Sequence, residues 1–213
     1  NQAGVGRLDR GDRATAREPV RRYQREHPGE LIHVDIKKLA AIPPGGGWWM
    51  HGKGNDAFKG HSGAGYVYLH SALDDRTRIV YSEIHTDEQA TTAAGFWERA
   101  VAFYTGLGIT CERVITDNGS CYRSRLWHQA CAGTGTTVKK TRPYRPQTNG
   151  KIERFHRILL EEWAYITDWT SQHQRAEAFT GFIHFYNHHR PHGSLGWATP
   201  IDTIRDNLPA MHS

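Results

Sequence analysis

The chain has 213 residues, with 27 Lys and Arg against 22 Asp and Glu, a formal charge of +5 with its 14 His neutral. That length suits one core domain with short appendages. The apolar share of 38%, about 44% when Gly is counted and Tyr is not, sits near the globular norm and argues against a disordered chain. No run of about 18 apolar residues exists, which excludes a helical membrane span. Cys111, Cys121 and Cys131 are odd in number and never spaced CxxC. They argue against a disulfide scaffold or a Cys-rich zinc site and fit a reducing cytosol. The start, Asn1 to Arg7, has neither an initiator Met nor an apolar signal core, as expected of a piece of a longer protein.

Residues 1–28 carry seven Arg against four acids and no apolar periodicity, so they read as a basic arm or linker. Leu31 to Lys37 alternates, with Ile32, Val34 and Ile36 on one face, and is a strand. The Gly- and Pro-rich stretch 43–63, which includes Trp48 and Trp49, reads as a long loop. Strands are expected at 64–74 and 78–85, joined by the hairpin signal Asp75-Arg76-Thr77. Thr86-Asp87-Glu88-Gln89 has the form of a capping box and opens a helix to about Tyr104. Arg113 to Thr116 is a short strand, 123–132 a helix, and 136–140 another strand. Two apolar stripes follow at helical spacing: Ile152, Phe155, Leu159, Trp163 and Ile166, then Ala176, Phe179, Ile183 and Tyr186.

This order predicts an α/β domain built on a five-stranded mixed sheet, flanked by helices on both faces. Its first three strands are antiparallel, and the last two return through helical crossovers. Ligands of such sheets gather at strand ends. The core is expected over 29–205, with 206–213 as a tail. Charge is uneven: residues 139–157 hold Lys139, Lys140, Arg142, Arg145, Lys151, Arg154 and Arg157 against Glu153 alone. That concentration points to a polyanion partner or to a solvated face.

Three acids stand out. Asp35 sits between Val34 and Ile36 in a strand, where a charge is costly. Asp117 ends the fourth strand before the turn Asn118-Gly119. Glu153 lies in the first turns of a helix. Strands one and four become neighbours and the helix packs across their edge, so the three are able to converge. Clustered carboxylates repel, and oxygen-only ligation favours Mg²⁺ or Mn²⁺ over zinc. Taken singly, each acid also fits a structural role, as a turn residue or a helix-dipole partner.

Val34-Asp35, Thr116-Asp117-Asn118-Gly119 and Pro143-Tyr144-Arg145-Pro146-Gln147-Thr148-Asn149-Gly150-Lys151-Ile152-Glu153-Arg154 resemble the integrase core of insertion-sequence transposases, related to retroviral integrases. Between Asp117 and Glu153 lie 35 residues, which matches the DD(35)E pattern. Tyr186-Asn187-His188-His189-Arg190-Pro191-His192, Leu195 and Pro200 look like the family's C-terminal signature. The resemblance implies an RNase H-like fold, with Asp35, Asp117 and Glu153 as ligands for two Mg²⁺ (or Mn²⁺) ions. It implies cleavage at transposon DNA ends, then strand transfer to a target by transesterification, with no nucleotide cofactor and no covalent protein intermediate. It also implies a homodimer or higher multimer on DNA, in a bacterial cytoplasm near the nucleoid. Leu160 departs from the pattern, because relatives often carry Lys or Arg there; Arg157, one turn after Glu153, is the substitute candidate. A preceding helix-turn-helix pattern is also missing, so recognition of specific DNA ends is expected upstream.

Several residues keep two readings. His156, at i+3 from Glu153, contacts phosphate or packs, with a metal role disfavoured. His188, His189 and His192 form H-H-x-x-H, read as a structural turn over a zinc site. Trp48 and Trp49 stack on bases or cover a sheet edge. Asn118 bonds Asp117 or shapes the turn, and Gly119 permits close backbone approach. Lys139, Lys140, Arg142 and Arg145 read as DNA contacts because they lead into the Glu153 helix. An RNase H-like nuclease without strand transfer, or a domesticated DNA-binding domain, remains an alternative function.

Overall fold

Alternation of apolar residues along 32–40 fixes the centre of the domain. The computed structural model describes residues 24–47, 50, 52, 64–140 and 149–207, with backbone alone for Lys140 and 205–207. Most of the arm, Trp48, Trp49, Arg142, Arg145 and the tail beyond 207 lie outside the described residues. β1 (Ile32–Ala40) pairs antiparallel with β2 (Tyr66–Asp74), and β2 pairs antiparallel with β3 (Val80–His85). After α1 (Ala90–Gly106) the chain enters β4 (Arg113–Thr116), parallel to β1. After α2 (Arg125–Gly133) it enters β5 (Thr137–Lys140), parallel to β4. The strand order is β3-β2-β1-β4-β5, the mixed sheet that the sequence predicts. α3 (Gly150–Leu159), α4 (Gln172–His188) and α5 (Pro200–Asn207) complete the domain.

The two faces of β1 feed two cores. Ile32 and Val34 pack with Phe96, Trp97, Ala100 and Tyr104 of α1 and Trp127 of α2. Leu39, with Leu69, Leu73 and Val80, packs against Ile152, Phe155 and Leu159 of α3 and Phe179, Phe182 and Tyr186 of α4. Burial of Phe96 or Phe155 contributes roughly 2–3 kcal/mol each on the area scale. Asp35 shares the face of Leu39, since side chains two apart along a strand point the same way, and so it faces α3.

Local chemistry explains where the elements depart from expectation. The expected capping box at Thr86 does not form; α1 starts after Gln89, which makes no side-chain cap. Asp87 Oδ1 instead accepts the Gln89 amide at 2.9 Å and the Thr92 hydroxyl at 2.6 Å. α3 runs into a wide π turn, Leu160–Ala164, where the Tyr165 amide donates to the Leu160 carbonyl. The extra residue turns Trp163 and Ala164 inward together and leaves Ile166, expected in the stripe, 63% exposed. α5 has no counterpart among the expected helices. Its start is set by Pro200 and by Thr199, whose hydroxyl donates to Asp202 Oδ2 at 2.6 Å.

Two side chains clamp α4 onto the sheet. Buried Asn187 donates through Nδ2 to the Val80 carbonyl at 2.8 Å, and its Oδ1 accepts the Val80 amide at 2.9 Å. Buried Arg175 donates to the Ala40 carbonyl at 2.8 Å.

Candidate active site

The parallel register pairs Ile32 with Val114 and His33 with Ile115. Two residues further along, Asp35 on β1 comes level with Asp117, just past the end of β4. Asp35 is half-buried, and its carboxyl is pushed up to about 6, first by burial and then by the charge of Asp117. Glu153, across on α3, adds to the rise, whereas the Ile36 amide and Lys37 oppose it. The other two acids thus both act on the Asp35 carboxyl. Lys37, two residues after Asp35 on the same strand face, is a partner that the strand period alone is able to expose.

Asp117 is exposed, and its Oδ1 accepts the Gly119 amide at 2.8 Å. A Cβ on residue 119 would stand 2.9 Å from that oxygen, so glycine lets the Asp117 carboxylate approach the turn this closely. The bond to Asp117 comes from the Gly119 backbone, while Asn118 stands exposed in the turn. Glu153, also exposed, lies on the first turns of α3.

His156 is buried beside Asp35, with Nδ1 3.4 Å from Asp35 Oδ2, and burial pushes its pKa down to about 3. It is therefore a neutral packing group against the acid. His192 is buried against Tyr186, ring centroids 4.8 Å apart, whereas His188 and His189 are exposed.

The basic residues divide. Lys139 is exposed on β5 opposite Ile115, and Lys140 pairs with Thr116, next to Asp117. Arg157 is exposed one turn beyond Glu153, and Arg154 is exposed as well. Lys151, expected among the DNA contacts, donates to Asp75 Oδ2 at 2.5 Å. Leu160 packs at the edge of the α3–α4 core.

Among the described residues no three His, Cys, Asp or Glu side chains form a ready metal-ligand set. The donor chemistry nevertheless fits a hard divalent cation. The three acids offer oxygen alone, and the raised pKa of Asp35 reflects burial first and then like charges, which such a cation would neutralise. No helix among the described residues is long and apolar enough to cross a membrane.

Comparison with known proteins bears on the family and the fold. The profile of the integrase core domain matches residues 25–146, and a second integrase core domain profile matches residues 134–200. A putative integrase, ORF3 of Spiroplasma virus SpV1-C74, is 25% identical over 150 residues, 64% of this chain and 41% of its own length. The putative transposase InsD for insertion element IS2E of Escherichia coli K12 is 33% identical over 95 residues, 43% of this chain and 42% of its own. The chain thus spans less than half the length of these curated relatives. The catalytic core domain of BIV integrase superposes with TM-score 0.56 at 19% identity, covering 84% of this chain and 95% of that one. The HTLV-2 integrase catalytic core, solved in complex with magnesium as a dimeric form, gives TM-score 0.56 at 13% identity over 82% and 95%. A simian T-cell lymphotropic virus intasome chain gives 0.63 at 17% identity, over 90% of this chain and 59% of its own. These likenesses identify the sheet and its helices as an RNase H-like, integrase-type fold. With more than half of its length matched by one profile, the chain belongs to the integrase core domain family.

Proposed function

We propose that this chain is the catalytic core of a transposase, which cuts DNA ends and joins them to a target with a divalent metal. The observation that carries the reading is the alignment of Asp35 and Asp117 across the parallel β1–β4 pair, with Asp117 and Glu153 both acting on the Asp35 carboxyl. Magnesium or manganese, held by these three acids, would supply the charge that activates a water or a 3′-hydroxyl and stabilises the leaving oxygen. The rest falls to the chain. The Gly119 amide holds Asp117 in one orientation, and the Ile36 amide does the same for Asp35. Neutral His156 shields one side of Asp35 from water without supplying a competing positive charge. Lys139, exposed on the strand that pairs with β4, and Arg157, exposed one turn after Glu153, would hold backbone phosphates. No cysteine nucleophile is needed: the thiols of Cys111, Cys121 and Cys131 are buried, and burial pushes them up to about 12, 11 and 12.

Transposon ends and target DNA are the proposed partners, and the cores are proposed to work as dimers or larger assemblies. The test is cleavage of an end-mimicking duplex in Mg²⁺ or Mn²⁺, followed by joining of its 3′-hydroxyl end to a supercoiled target. Asp35→Asn, Asp117→Asn and Glu153→Gln each keep shape and remove one charge, so each should lose at least ~10²-fold in cleavage. Near-normal turnover by any one variant would remove that acid from the site, and cleavage without joining would reduce the protein to a nuclease.

A further inference from the structure

α3 has a second flank. Lys151, Arg154, Phe155 and Ile158, spaced i, i+3, i+4 and i+7, form one stripe, with Glu153 about 100° round the helix from Arg154. This stripe walls a cleft of about 330 Å³, closed by Arg78 of the β2–β3 turn and by Arg190 and His192 after α4. We propose that this cleft is a phosphate site that holds a DNA backbone phosphate away from the three acids; as a DNA contact it rests on the function proposed above.

Four cations line the cleft, and no acid does. Two are neutralised from behind, Lys151 by Asp75 and Arg190 by both oxygens of Glu162 at 2.6 and 2.7 Å. Arg78 and Arg154 form no ion pair within 4 Å among the described residues; Asp75 and Asp74 act on Arg78 only from a distance. Arg78 is only 9% exposed, and its Nη1 is buried without a hydrogen-bond partner. His192 is 7% exposed, with Nε2 likewise buried and unpartnered. Buried polar nitrogens without partners are costly, and here two of them flank one cleft. The backbone of Arg78 is also held at φ +66°, an uncommon conformation for a side chain of this size. Gly150 brings the positive end of α3 to the same place.

A phosphodiester suits this set better than a carboxylate of another chain. Guanidinium forks match phosphate oxygens, and a ribose or deoxyribose beside the phosphate fits a space near the small end of ligand pockets. The cleft and Glu153 are separated by no more than about one helix diameter, roughly 10 Å, or about three base steps along a duplex. A duplex over the acids is therefore within reach of both flanks of one helix.

The probe is a fluorescein-labelled 20-bp duplex of arbitrary sequence, titrated by anisotropy in EDTA at several salt concentrations. Arg154→Gln and Arg78→Gln should each lower the salt slope by about 0.9 and weaken binding roughly eightfold at 0.1 M salt, equally for unrelated sequences. Should the buried Arg78→Gln variant fail to fold, exposed Arg154→Gln decides the matter alone. In a second arm, inorganic phosphate is tested for thermal protection. Unchanged slopes in the folded variants overturn the proposal, and phosphate protection with unchanged duplex binding assigns the cleft to free phosphate instead. Binding in EDTA needs no metal acid, so reduced slopes beside an inactive wild type would keep this site and reject the transposase reading.

Discussion

Gly119→Ala separates the folding role of the Asp117 turn from its role in chemistry. The added Cβ would stand 2.9 Å from Asp117 Oδ1, and ordinary contact begins near 3.4 Å. Gly119 does not sit at positive φ, so the alanine backbone is tolerated. The atom that must yield is the end of a side chain, and the carboxylate retreats by roughly half an ångström. The 2.8 Å bond from the Gly119 amide is then weakened. A charge-assisted bond contributes about 1.5–3 kcal/mol, and less when exposed, as this one is. Against that loss, alanine restricts the unfolded chain by about 0.4–1 kcal/mol. The net stability change is about 1 kcal/mol or less, or roughly 2–4 °C in Tm for a chain of this size. Catalysis should suffer more, because a 1 Å misplacement at a reacting centre costs about 10²-fold, and half of that roughly tenfold. Initial rates of duplex cleavage in Mg²⁺ and a thermal melt, on the same preparation, give both numbers. A cleavage rate within twofold of wild type would refute the reasoning, as would a melting point lowered by more than about 10 °C.

Asp75→Asn removes the acid that joins His33, at 2.8 Å, the Arg25 amide, at 2.9 Å, and Lys151. With Lys151 left partly buried and unpaired, a loss of about 2–4 kcal/mol is expected in urea denaturation. A loss below about 1 kcal/mol would mean that the pair is a surface contact. Burial raises the Asp75 carboxyl, but hydrogen bonds from His33, Lys151 and the Arg25 amide outweigh it and hold the group well below the usual carboxylate range. This stability is present in full above the unfolded value near 4 and falls away as pH drops below it; the variant should lose that acid limb. Asn187→Ala strands the amide and carbonyl of Val80 inside the α4–β3 contact. A cost of about 2–4 kcal/mol follows, and a smaller one in the same denaturation series would show that water replaces the clamp.

Alternation at Ile32, Val34 and Ile36, with two crossover helices, is enough to place Asp35 beside Asp117, because a parallel register leaves few options for strand ends. Partners set by tertiary contact are invisible in the sequence. Lys151 reads as a free cation because Asp75, its counter-charge, lies 76 residues earlier. Thr86-x-x-Gln89 has the pattern of a capping box, yet Asp87 competes for the Gln89 amide and wins. The stripe from Ile152 to Ile166 assumes an unbroken helical period, and the π turn at Leu160–Ala164 breaks it. The final helix does carry a signal, Thr199-Pro200 followed by Asp202. The cleft at Arg78 has none, since its walls come from a hairpin turn, the flank of one helix and the loop after another.

The clamp at Asn187 also bears on how the protein is made. The acids arrive at positions 35, 117 and 153, but the helix that carries the last of them is pressed to the sheet together with α4. From Asp35 to Asn187 the ribosome needs roughly 8–30 s at ordinary elongation rates. Throughout that interval the emerging polypeptide holds an incomplete set of carboxylates or an unsecured one. A product truncated before Asn187 lacks the same clamp, so the proposed site is secured only when translation of the domain is nearly finished.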